Sequence, residues 1–70
     1  MSRYVALIEP TATGFSAHVP DLPGCIAAAV SYEETVRLIH EAIEFHIEGM
    51  ILHGESVPQP TTSAETVEIA

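Results

Sequence analysis

The stretch G-F-S-A-H-V-P-D-L-P-G-C-I-A-A-A-V, Gly14 to Val30, decides how the rest of the chain is laid out. Phe15, Ala17 and Val19 alternate with Ser16 and His18, the period of a strand buried on one face, and predict a strand over 15–19. Pro20 and Pro23 each remove a backbone donor and fix φ, so the strand stops and the chain crosses stiffly to its next position. Gly24 releases the turn, and Asp21 has a short side chain suited to accept from nearby backbone amides. Cys25 to Val30, C-I-A-A-A-V, then reads as a strand of small residues over 25–30, whose alanines suit close approach by another backbone or helix.

Working outward toward the N-terminus, 3–9 reads as a first strand. Val5 and Leu7 on one face are as apolar as Tyr4, Ala6 and Ile8 on the other, which predicts a central strand covered on both sides. Pro10 to Gly14 is the connecting turn, with Gly14 free to take a positive φ.

Toward the C-terminus, Ser31 followed by Glu34 is a capping box: the hydroxyl accepts from the Glu34 amide and the Glu34 carboxylate reaches back to the Ser31 amide. A helix over 31–53 follows, capped by Gly54. Tyr32, Val36, Ile39, Ile43, Ile47 and Met50 recur at steps of three and four and form the stripe that packs on the sheet. A second stripe, Leu38, Ala42, Phe45, Gly49 and Leu52, lies away from the centre of the first and exceeds what one small sheet covers. Gly49 inside a helix costs about 1 kcal/mol relative to alanine, which makes sense if another element approaches its backbone. Residues 55–63, with Pro58 and Pro60, form an extended connector, and 65–69 a short final edge strand.

Seventy residues make one domain, 1–70, whose core buries only about 60% of the unfolded chain's surface and gains from a partner. A single cysteine excludes an internal disulfide and fits a reducing, cytoplasmic setting; the apolar run Tyr4 to Ile8 is too short for a signal sequence or a membrane span. Ten acidic residues against Arg3 and Arg37 give a formal charge of −8, which opposes nucleic acid and anionic membranes and favours a basic protein partner.

No constellation in the sequence carries catalysis, a cofactor or a metal. Cys25 has no cation beside it in sequence and reads as a buried small hydrophobe. His40, His46 and His53 stand six and seven apart, which is not the spacing of a helical zinc pair, and His18 lies elsewhere. Glu33, Glu41, Glu44 and Glu48 form a solvated helix face, relieved by Arg37 between Glu33 and Glu41. The P-D-L-P-G corner is better suited to presenting Asp21 and Leu22 outward to a partner, since a stiff loop loses little entropy on binding. The stripe Leu38, Ala42, Phe45, Gly49 and Leu52 is the expected contact of a homo-oligomer.

These segments resemble the HicB family of antitoxins. The likeness runs through Y-V-A-L-I-E at Tyr4 to Glu9 and G-F-S-A-H-V-P-D-L-P-G-C at Gly14 to Cys25, then S-Y-E-E-T at Ser31 to Thr35. It continues through H-E-A-I-E-F-H-I-E at His40 to Glu48 and G-E-S-V-P-Q-P at Gly54 to Pro60. It implies an α+β fold of order β-β-β-α-β, a small three- to four-stranded antiparallel sheet with one helix packed on it, partially ribonuclease-H-like but without that enzyme's metal site. It further implies a non-catalytic antitoxin that masks a small ribonuclease toxin of the HicA type. Two departures stand out: Ala28-Ala29-Val30 replaces the glycine many members carry before the helix, and no DNA-binding domain is expected after the connector. The alternative reading is a stand-alone homo-oligomer without a toxin, binding a small molecule or serving an accessory role.

Overall fold

A computed structural model describes residues 2–70. Three strands, β1 (Leu7–Pro10), β2 (Phe15–His18) and β3 (Ile26–Ala29), are followed by one helix, α1 (Tyr32–Leu52). Both pairings are antiparallel and the sheet order is β1-β2-β3, with Ile8 opposite Ala17 and Ala17 opposite Ala27. This is the expected α+β arrangement of a small antiparallel sheet under a single helix.

The central strand is β2, not the first strand as its two apolar faces suggested. Residues 3–6 are outside any strand, so the expected 3–9 contracts to Leu7–Pro10. Pro10 belongs to the strand instead of the turn, which an edge strand tolerates because no ladder bond is required of its missing N–H. Thr11 closes the hairpin: its N–H donates to the Gly14 carbonyl at 2.8 Å, and its Oγ1 accepts from the Gly14 amide at 3.0 Å. Gly14 is not in the left-handed region. Its lack of a side chain serves packing, since a Cβ there would stand 2.2 Å from the Ala29 carbonyl oxygen.

The corner after β2 consists of two consecutive β-turns. Leu22 N–H donates to Val19 O and Cys25 N–H to Leu22 O, both at 3.0 Å, which puts Pro20 and Pro23 each at the second position of a turn. Gly24 supplies the positive φ, +86°, that the second turn needs. The Val19 amide donates to Cys25 O at 3.2 Å and closes the corner. Folding back this way drives Leu22 into the core, where it is 0% exposed beside Ala17, Val19, Cys25 and Ile39.

Helix α1 starts at an N-cap, Ser31, whose Oγ accepts from the Glu34 amide at 3.1 Å. The reciprocal half of the expected capping box is replaced, because the Glu34 carboxylate pairs with Arg37 at 2.8 Å. The helix ends in a Schellman arrangement, with Gly54 at φ +69°, its N–H donating to Ile51 O and that of Glu55 to Met50 O. The cap residue is thus His53, one position before the glycine.

Against the sheet, α1 buries Thr35 and Ile39, with Ala42, Ile43 and Ile47 partly covered around them. Thr35 is absent from the expected stripe, yet it is fully enclosed because its Oγ1 donates to Ser31 O at 2.8 Å and so carries no unpaired polar group inside. Tyr32 and Val36, expected to pack inward, stay largely exposed; Tyr32 instead meets Phe15 edge to face at 5.8 Å.

Beyond the helix, residues 55–70 have neither helix nor strand. The expected strand over 65–69 does not form: Val67 and Ile69 are exposed and pair with no strand. The connector is nevertheless tied down. The Tyr4 hydroxyl donates to Pro58 O, and Thr61 and Thr62 bind Asp21.

Candidate partner-binding surfaces

The proline corner was expected to present Asp21 and Leu22 outward; the structure turns Leu22 inward and gives the half-exposed Asp21 partners within the chain. Leu22 is the most enclosed apolar side chain of the corner. Asp21 receives the connector: Oδ2 accepts from the amides of Thr61 and Thr62 at 3.0 and 2.9 Å. Its Oδ1 accepts from their hydroxyls at 3.1 and 2.9 Å. These bonds, the Thr62 amide foremost, hold the Asp21 carboxyl below the usual carboxylate range against a lesser opposing effect of desolvation. Thr61 and Thr62 were not singled out in the sequence. A carboxylate and two threonines forty residues apart leave no periodic signal, and only the rigid Pro58-Gln59-Pro60 segment brings them together.

On α1 the expected oligomer stripe divides. Leu38 and Ala42 are partly covered, with Ala42 against the core, whereas Phe45 is 79% exposed and Leu52 is likewise open. Gly49 has nothing within 4 Å of the position its Cβ would occupy, so among the described residues no element makes the close approach its presence suggested. Phe45, Gly49 and Met50 line one side of a shallow groove whose other side is Pro23 and Pro58. A second apolar surface lies on the sheet. Leu7, His18 and Ile26 stand in one cross-strand row on the face away from α1, and Ile26 is 70% exposed.

Charge is uneven over the helix. Arg37 is clasped between Glu34 at 2.8 Å and Glu41 at 2.9 Å, pairs that are exposed and add little stability. Expected pairing with Glu33 is thus replaced by Glu34. Glu44 faces only His40, at 3.9 Å, and Glu48 is in no ion pair among the described residues. Cys25 is buried, and burial pushes its thiol pKa up, away from nucleophilic reactivity. Among the described residues no three His, Cys, Asp or Glu side chains converge as a metal site, and no helix is long and apolar enough to cross a membrane.

With fold and surfaces in place, comparison with known proteins becomes specific. Residues 4–69 match the family described as the HicB-like antitoxin of bacterial toxin–antitoxin systems. The chain belongs to that family. The HicB-like domain is also similar to a chain of the solved HicA3 and HicB3 toxin–antitoxin complex, with a TM-score of 0.74 and 30% identity over 86% of this chain and 70% of that one. A 14.9 kDa protein from the rep-hol intergenic region of Haemophilus phage HP1 is 41% identical over 56 residues, 80% of this chain but 42% of the relative. A UPF0150 protein of Helicobacter pylori is 48% identical over 42 residues, 60% of this chain and 58% of the relative. This HicB-like chain thus spans about half the length of these two relatives. Another UPF0150 protein, from Thermoplasma acidophilum, is 32% identical over 93% of this chain and matches over 96% of its own length.

Proposed function

We propose that this HicB-like chain is a non-catalytic antitoxin that binds and masks a small basic ribonuclease of the HicA type. The observation that carries the reading is the likeness, over most of the chain, to a chain of the HicA3 and HicB3 complex. The charge of −8 supports it, because an acidic domain meets a basic protein quickly and repels the RNA that the protein would otherwise hold. The same charge supports the absence of direct nucleic-acid binding by this chain. Masking needs no catalytic group, and the buried thiol and the dispersed histidines supply none.

The antitoxin works as a homo-oligomer in this reading, with Phe45, Gly49 and Leu52 as the contact. The support is physical: a large aromatic left open beside a glycine with free space above it is the form of a surface awaiting a second body. The whole reading is tested by co-expressing the chain with the product of the neighbouring open reading frame and purifying through a tag on one partner. Co-elution at fixed stoichiometry is expected; separate elution of two well-folded proteins would overturn it.

A further inference from the structure

A groove of about 680 Å³ runs along α1 on the side away from Phe45. Its floor is Ile43, Ile47 and Ile51, one helix turn apart, and Ile51 is 65% exposed. The facing wall is the segment before β1, through Ser2 and Tyr4. That segment is outside the strand ladder, and β1 pairs only with β2, so the wall continues into a free sheet edge. The volume is that of a site for several side chains, beyond the needs of one ion.

The rim of the groove is what selects an occupant. Glu44 and Glu48 border it at i,i+4 spacing, like charges that repel one another when left alone. Arg37 is held elsewhere by Glu34 and Glu41, and Arg3, the other basic side chain, is in no ion pair with Glu44 or Glu48 among the described residues. His40, also on the rim, is 3.9 Å from Glu44. An apolar floor edged by two carboxylates that share no lysine or arginine is complementary to a segment carrying both aliphatic side chains and lysine or arginine. A second copy of this chain, at charge −8, brings no such cation surplus. The C-terminal segment T-V-E-I carries Glu65 beside it and Glu68 within it, and would meet this rim with like charge.

We propose that the Ile43-Ile47-Ile51 groove seats a basic amphipathic segment of the partner protein, with its aliphatic side chains on the isoleucines and its cations on Glu44 and Glu48. The inference rests on the antitoxin reading and assigns the two sides of α1 separate partners: the Phe45 side a second copy, the Ile47 side the basic protein.

The test compares three versions of the chain for binding to the candidate toxin, the product of the neighbouring open reading frame: wild type, Glu44→Lys/Glu48→Lys, and Glu33→Lys/Glu68→Lys. All four positions are solvent-facing, and circular dichroism with thermal melting checks that each variant folds. The groove reversal is expected to weaken binding at least tenfold and to flatten its salt dependence; the control reversal, equal in net charge, should change affinity less than threefold. Ile47→Ser, which keeps both carboxylates, should weaken binding without altering the salt slope. Equal affinity of the groove reversal and the control would overturn the groove while leaving the antitoxin reading intact. Failure of the wild-type chain to bind at all would overturn both. Stronger self-association of the groove reversal in sedimentation, with partner binding unchanged, would put a second copy in the groove and overturn the assignment.

Discussion

Asp21 and Leu22 are adjacent in sequence and opposite in surroundings: one ties the connector to the corner through four hydrogen bonds, the other fills the core. Because the folded Asp21 carboxyl titrates below its unfolded value, the clasp's contribution is fully present above the ordinary carboxylate range, roughly pH 4, and is lost as pH falls through the folded value. Protection of the Thr61 and Thr62 amides, relative to their intrinsic exchange rates, should therefore fall selectively only below about pH 4, and Asp21→Ala should show that loss already at neutral pH. Leu22→Ala acts differently, removing a fully enclosed side chain at a cost of about 2–5 kcal/mol, read as a drop in the urea midpoint at unchanged slope. The sequence made the stiffness of the corner legible, because proline and glycine act locally. It hid the direction in which Leu22 points, which depends on two successive turns folding the loop back onto Ile39.

Among the elements, β2, β3 and α1 were legible from alternation, proline punctuation and the serine cap, and their centres are where those signals placed them, whereas β1 is displaced toward the end of its expected span and the strand over 65–69 is not formed. The order of strands was not. Apolar residues on both sides of 3–9 report burial without saying by what, and part of that surface faces the core through Tyr4, Ala6 and Ile8 while remaining at the sheet edge. Gly14 was legible as a special position but for the wrong reason, close packing taking the place of backbone freedom. Gly14→Ala would push its methyl onto Ala29 O at 2.2 Å and Val30 Cα at 2.8 Å, both backbone atoms. It is expected to cost about 1–3 kcal/mol in chemical denaturation, as overpacking does elsewhere. Gly49→Ala meets nothing in this chain, so in a monomer it should stabilise α1 by up to about 1 kcal/mol. If Gly49 and Phe45 form the contact between copies, Gly49→Ala raises the melting temperature of the monomer while weakening the oligomer. Phe45→Glu then yields monomers in sedimentation.

At the scale of the whole molecule, a 70-residue chain leaves Phe45, Ile26, Ile51 and Leu52 open around a small core, and carries a charge of −8. That combination is costly for a solitary domain and economical for one that works by covering another protein. The sequence disclosed the charge and the excess of apolar surface, since both are sums over residues. Which parts of that surface stay open emerged only once α1 was placed over β2 and β3, leaving separate grooves along its two sides. The most direct measurement of the central claim is a titration of RNA cleavage by a candidate HicA-type toxin, the product of the neighbouring open reading frame, with the HicB-like chain added in increasing amount. The account predicts a linear fall in cleavage to a sharp endpoint at a simple molar ratio, with no cleavage by the antitoxin alone; cleavage that persists at several-fold excess of a folded antitoxin would contradict it.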